Sequence, residues 1–152
     1  MGFFKKFFER FKTASIKFIE TPTEIPSSAK EISGKIILTA LNDQKVHIIN
    51  VRLEEIHNAT YRVGEQEVKA EPDETITYII LDGFDIKKGE TRIIPFTLVF
   101  KRALIAQTWV RKIKYKLIAV ADLEGVALDP VATQNIQIEG IYDNSISSRR
   151  FF

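Results

Sequence analysis

An all-β sandwich preceded by one short helix is the fold class this sequence predicts, and three observations predict it. From residue 31 onward, apolar residues recur with a period of two, the signature of half-buried strands. The runs are separated by turn-forming groups: Asn42-Asp43-Gln44-Lys45, Lys87-Lys88-Gly89-Glu90, Glu124-Gly125 and Asp129-Pro130. Only the first residues depart from this pattern. There Phe3, Phe4, Phe7, Phe8 and Phe11 share one face of a helix at ~100° per residue, with Lys5, Lys6, Glu9, Arg10 and Lys12 on the other.

The elements follow in order. The helical pattern is clean from Gly2 to about Thr13, and Phe18 and Ile19 allow its extension toward Glu20. Ser15 to Glu20 reads equally as a strand, and Pro22 ends either element. Glu31 to Leu41 alternates, with Ile32, Ile36, Leu38 and Ala40 on one face. Val46 to Val63 is a long strand or a bent pair, and the adjacent Glu54-Glu55 breaks its alternation where a bulge is expected. Gly64 to Asp73 is polar and reads as a loop. Thr75 to Leu81 is a strand, closed by Asp82-Gly83 as a turn or bend. Arg92 to Phe100 places Ile94, Phe96, Leu98 and Phe100 on one side, and Lys101 to Gln107 reads as a loop. Trp109 to Asp122 is the clearest strand, and Val131 to Ile141 is the last. About seven strands with no helix between them make an immunoglobulin-like sandwich. The expected organisation is helix 1–14, sandwich 15–142 and a polar tail 143–152 that ends in Phe151-Phe152.

A chain of 152 residues is one domain with room for a full core. Its net charge of +2 argues against a nucleic-acid binder. The charge is uneven, however. Residues 1–20 carry five basic and two acidic side chains, so the excess of positive charge lies with the Phe wedge. The absence of Cys removes disulfides, thiolate metal sites and Cys nucleophiles, and fits a reducing, cytoplasmic compartment. No apolar run is long enough to span a bilayer. Charges interrupt the Phe pairs, so no secretory h-region forms, and Lys6 stands where a myristoylation motif needs Ser or Thr.

Little in the sequence points to a reaction. His47 and His57 are the only imidazoles and stand ten residues apart, roughly 33 Å along one extended strand, too far to share a metal. Asp122, Glu124 and Asp129 surround a loop but match no calcium-binding pattern, and Glu65, Glu67 and Glu71 read as a solvated loop. The glycines form no phosphate-binding motif, so no cofactor is expected. Lys112, Lys114 and Lys116 alternate with Ile113, Tyr115 and Leu117. A strand puts the three lysines on one face, as a solvent face, a guard against edge aggregation, or a basic stripe for an anionic head group or acidic partner.

Four stretches, in order, resemble the N-terminal-type domain of the arrestin-like superfamily, and within it the prokaryotic sporulation-control proteins. They are Ile16-Lys17-Phe18 with Ile32-Ser33-Gly34-Lys35-Ile36, the Ile49 to Ala59 strand, Lys88-Gly89-Glu90 with Ile94-Pro95-Phe96-Thr97-Leu98, and Ile113 to Leu117 with Ala119 to Asp122. The sequence departs from the family at Pro26-Ser27-Ser28, where the usual Gly is missing. It departs again at Lys101-Arg102-Ala103-Leu104, where a Pro-rich connection is usual. The resemblance implies one sandwich of a fold that most members carry twice, and binding or scaffolding rather than catalysis.

The functional expectation is therefore a non-enzymatic adaptor that binds a protein partner and an anionic membrane surface. Its attachment residues are Phe3, Phe4, Phe7, Phe8, Phe11, Lys5, Lys6, Arg10 and Lys12. Twelve helical residues span ~18 Å, short of a ~30 Å hydrocarbon core, so such a helix lies in an interface, peripheral at the inner membrane face, rather than crossing it. The competing expectation is a self-assembly module, a homo-oligomer with the helix buried on its own or a neighbouring sandwich.

Overall fold

The computed structural model describes residues 13–106 and 112–139. The Phe/Lys helix, Trp109 and the C-terminal tail lie outside these residues. Ten strands form in the described chain: β1 (Ala14–Ile19), β2 (Glu24–Pro26), β3 (Glu31–Ala40), β4 (Gln44–His57), β5 (Thr60–Val63), β6 (Gln66–Lys69), β7 (Glu74–Ile86), β8 (Thr91–Val99), β9 (Ile113–Leu123) and β10 (Val131–Glu139). A three-stranded sheet has the order β1-β3-β8, and a five-stranded sheet the order β2-β10-β9-β4-β7. Strands β5 and β6 form a separate hairpin.

The two sheets bury their facing rows in one core. Ile36, Leu38 and Leu98 come from the smaller sheet, and Ile49, Val51, Leu53, Leu117 and Ala119 from the larger. Each is a period-two position, as the alternation requires. Phe18 meets Phe96 edge-on at 5.8 Å between ring centroids, tying β1 to β8 from within. Ala14–Ile19 are thus strand and not helix, because Ala14 and Ile16 enter this core while Ser15 and Lys17 face out. Pro95 sits in β8, an edge strand of its sheet, the position at which a strand tolerates proline.

Three expected features take a different form. The polar run 64–73 contains β6, because Gly64-Glu65 is a two-residue hairpin loop with Gly64 at φ 65° in its first position. Asp82-Gly83 is no turn: β7 continues through it to Ile86. A Cβ on Gly83 would lie 2.2 Å from the carbonyl oxygens of Val46 and His47, so this glycine admits the β4 backbone. At the same point β4 is irregular, with His47 left between the Val46↔Leu123 and Ile48↔Asp122 pairs. The register shift expected near Glu54-Glu55 does occur, between Leu53 and Glu54 in the pairing with β7. The extra residue, however, belongs to β7: Leu53 pairs Thr77 and Glu54 pairs Thr75, skipping Ile76. Alternation in β4 runs on unbroken, with Glu54 outward and Glu55 inward.

Strand direction gives the sandwich two distinct ends. One holds the turns 41–43 and 87–90, the connection 124–130, and Thr13, whose carbonyl accepts from Leu41 N–H at 3.0 Å. The other holds the end of β4, the β5–β6 hairpin, the starts of β7 and β9, and the end of β10.

Candidate functional sites: an apolar loop end and a buried polar knot

At the hairpin end, inward alternation delivers a carboxylate into the core. Glu55 is only 1% exposed. An unpaired charge there is expensive, and the surrounding groups neutralise it. Arg102, from the β8–β9 connection, donates from Nη2 to Glu55 Oε1 at 2.8 Å and to Glu74 Oε1 at 2.9 Å. Glu74 stands opposite Glu55 on β7. Tyr115, opposite Glu55 on β9, donates its hydroxyl to Glu55 Oε2 at 2.5 Å and accepts from Ile105 N–H at 2.9 Å. His57 lies on the same face two residues on, its Nε2 at 2.8 Å from Glu55 Oε1. An ionised carboxylate only accepts, so the proton sits on Nε2.

The electrostatics follow from these contacts. Burial pushes the Glu55 carboxyl up, but hydrogen bonds and charge from Arg102, with donation from Tyr115 and His57, hold it below the ordinary range. The Tyr115 phenol is pushed up by its burial and by its bond to Glu55. The Arg102 guanidinium is held more firmly protonated, chiefly by its bond to Glu55. In chemical terms the knot is closed. Both Glu55 oxygens are occupied, and among the described residues no hydroxyl nucleophile touches His57. Its effect is to clasp residues 102–105 onto β4, β7 and β9.

The opposite end is built differently. Leu128 is 77% exposed at the tip of the β9–β10 connection, and Leu41 is 41% exposed just past β3. Backbone and side-chain bonds tie the 87–90 turn to the end of β3 and the 41–43 turn, and the start of the 124–130 connection to β4. Gly89 N–H donates to Ala40 C=O at 2.8 Å, Lys88 N–H to Asp43 Oδ1 at 2.8 Å, and Glu124 N–H to Lys45 C=O at 3.0 Å. Gly89 takes φ 82° inside the Lys87–Glu90 turn, which Glu90 Oε1 closes by accepting from Lys87 N–H at 2.8 Å.

Of the residues singled out from sequence, the attachment set Phe3, Phe4, Phe7, Phe8, Phe11, Lys5, Lys6, Arg10 and Lys12 lies outside the described residues. Lys112, Lys114 and Lys116 do alternate with the buried Ile113, Tyr115 and Leu117. Lys112 and Lys114 are exposed, whereas Lys116 is half-buried opposite Glu54. Among the described residues none of the three lies within ion-pair distance of a carboxylate. Lys114 also lines a cleft of 680 Å³ that opens where β10 leaves β9 after the Ile136↔Tyr115 pair and joins β2. His47 and His57 occupy the two ends of β4. Among the described residues no group of His, Asp and Glu side chains is arranged to hold a metal.

No family model matches the chain, and no curated protein sequence matches it. Its fold matches the solved structure of Spo0M, a sporulation control protein from Bacillus subtilis. The TM-score is 0.67 at 20% identity, over 85% of this chain and 50% of that one. The chain thus spans about half the length of the sporulation control protein it matches. Further matches are looser. One is BslA, a bacterial hydrophobin, at TM-score 0.42 and 9% identity over 86% of this chain and 98% of that one. Another is a CARDB domain from Pyrococcus furiosus, at 0.42 and 14% over 84% and 94%. The chain therefore has the fold of the sporulation-control proteins, in agreement with the arrestin-like resemblance of its strand order.

Proposed function

We propose that this chain is a non-enzymatic adaptor domain that attaches to an anionic membrane surface through residues 1–12. The observation that carries the reading is where that segment leaves the body. Thr13 is hydrogen-bonded to Leu41, so the five-Phe, Lys-rich segment emerges beside an exposed leucine at the loop end. An amphipathic segment of this composition gains from burying its Phe rings, ~1.5–3 kcal/mol each in an apolar phase. Each lysine near an anionic leaflet adds ~1 kcal/mol. The fold shared with a sporulation control protein supports a regulatory or adaptor role, and the closed polar knot supports a structural rather than catalytic use of the buried Glu, His and Tyr. Attachment at the loop end leaves Lys112, Lys114 and the 680 Å³ cleft at the other end open to a protein partner.

The test is co-sedimentation of the full chain with phosphatidylserine-containing vesicles, beside a sizing column. Phe7→Glu with Phe8→Glu is expected to abolish binding without shifting the urea midpoint, and added salt to weaken binding of the unaltered chain. If the double variant instead unfolds the domain, the segment belongs to the protein's own core and the membrane reading fails. If the chain elutes as a dimer that the variant breaks, without vesicle binding, the self-assembly reading replaces it.

A further inference from the structure

Independently of membrane attachment, we infer that the outer face of the five-stranded sheet is a self-association surface. A second copy of this chain stacks on it with its strands running the opposite way. Strand register sets the face out in rows. One row crosses β7, β4, β9 and β10 as Ile80, Asn50, Val120 and Val131, and the next as Tyr78, Arg52, Ile118 and Thr133. Tyr78, Ile80 and Val131 are each about half exposed. Ile118 and Val120 are half-buried and lie outside the core cluster. Two adjoining rows thus form one apolar patch rather than scattered surface residues.

Charges of opposite sign flank this patch at its two ends. Toward the loop end lie Asp82 and Asp122, on either side of Ile48. Asp85 and Glu124 are exposed beyond them, against one lysine, Lys45. Toward the hairpin end lie Lys116, Lys114 and Lys112, and Glu54, the carboxylate opposite Lys116, is taken by Arg52 at 3.3 Å. Glu24 and Glu139 stand farther out, at the β2 edge of the sheet. Among the described residues, Asp82, Asp122, Lys114 and Lys116 have no ion-pair partner.

This order is self-complementary. A two-fold axis lying along the rows, midway between the two apolar ones, stacks β9 on β9 and reverses it. Tyr78 then faces Ile80 of the second copy, Ile118 faces its Val120, and Asp122 faces its Lys116. Strands stacked the same way round would instead set the acidic row on the acidic row. From Ile48 to Ile56, β4 runs ~26 Å, and four strands ~4.8 Å apart span ~19 Å. The footprint is about 500 Å² per copy, so the pair reaches the ~1,000 Å² that marks the low end of specific interfaces. An anionic bilayer is a poor occupant of this face, because the acidic row would meet its head groups.

The test is light scattering of the full chain on a sizing column across micromolar concentrations. The unaltered chain should pass from monomer to dimer, and added salt should weaken the dimer. Asp122→Lys sets lysine on lysine across the axis, and Lys116→Asp sets acid on acid. Each alone should raise the dissociation constant of the dimer at least about tenfold. An equimolar mixture of the two variants should recover the dimer, because each then offers the charge the other lacks. Ile80→Ser, at an outward position, should cause a similar loss with a native urea midpoint. Phe7→Glu with Phe8→Glu should leave the dimer intact, so this inference and the membrane reading fail separately. A chain that stays monomeric overturns the inference. So does a dimer that only the Phe variant dissolves, or a mixture that fails to recover although both charge variants keep a native urea midpoint. If a charge variant unfolds, Ile80→Ser decides: an unchanged dimer overturns the inference, and a loss of about tenfold sustains it.

Discussion

At the residue scale, Glu55 concentrates the physical chemistry of this protein. A carboxylate 1% exposed survives because Arg102, Tyr115 and His57 all donate to it. Removing the tyrosine hydroxyl in Tyr115→Phe leaves Glu55 Oε2 without that donor and frees Ile105 N–H, and should cost about 1.5–3 kcal/mol. A urea midpoint reads this directly. The carboxyl is held below about pH 4.5, its ordinary value, so its stabilising share is fully present above that pH. It is lost as pH falls through the depressed folded value. Glu55→Gln is therefore expected to be less stable than the unaltered chain at neutral pH, yet to lose stability less steeply below about pH 4.5. A series of urea melts from pH 7 downward checks both limbs, and parallel acid limbs would exclude Glu55 as their source. None of this was legible in the sequence. Glu54-Glu55 reads as a break in alternation, since a glutamate at an inward position contradicts the hydrophobic pattern until its partners are known. Two of those partners, Arg102 and Tyr115, come from positions 47 and 60 residues away.

At the scale of single elements, the strands were legible wherever one face is buried, because alternation then records burial. The runs 31–41, 92–100 and 131–141 match β3, β8 and β10 to within a residue or two at the described ends. Strand β5 falls inside the expected Val46 to Val63 run, but β6 was missed because it buries almost nothing, so no apolar period marks it. The Gly64-Glu65 pair was the available signal. Asp82-Gly83 misled for the opposite reason: the dipeptide typical of a turn serves close backbone approach. Gly83→Ala should therefore cost about 3 kcal/mol or more, because the new methyl meets carbonyl oxygens of β4 at 2.2 Å and only a shift of the paired strands can relieve it. Gly125→Ala meets nothing within 4 Å and bears only the left-handed backbone at φ 72°, about 1–2 kcal/mol. Equal urea midpoints for the two variants would contradict this account.

At the scale of the whole molecule, the sequence showed the strands but not which sheet each joins, since parity fixes a face and not a neighbour. It placed the Phe wedge and the lysine stripe on one chain without showing that Thr13, which follows the wedge, and the start of β9, which carries the stripe, lie at opposite ends. That polarity has a measurable consequence. If the loop end meets the bilayer, the hairpin end stands off it by the length of the sandwich. Strand β4 alone is 14 residues, about 45 Å at ~3.3 Å each. The chain has no cysteine, so one introduced thiol gives one label. A polarity-sensitive fluorophore on Leu128→Cys should shift to the blue on addition of phosphatidylserine vesicles. The same fluorophore on Glu65→Cys, in the hairpin loop, should keep its aqueous spectrum. High salt should reverse the first shift in part, because some of the attraction is Coulombic. A shift at both positions would mean that the sandwich lies flat on the surface. A shift at position 65 alone would place the lysine stripe against the lipid and the loop end toward solvent.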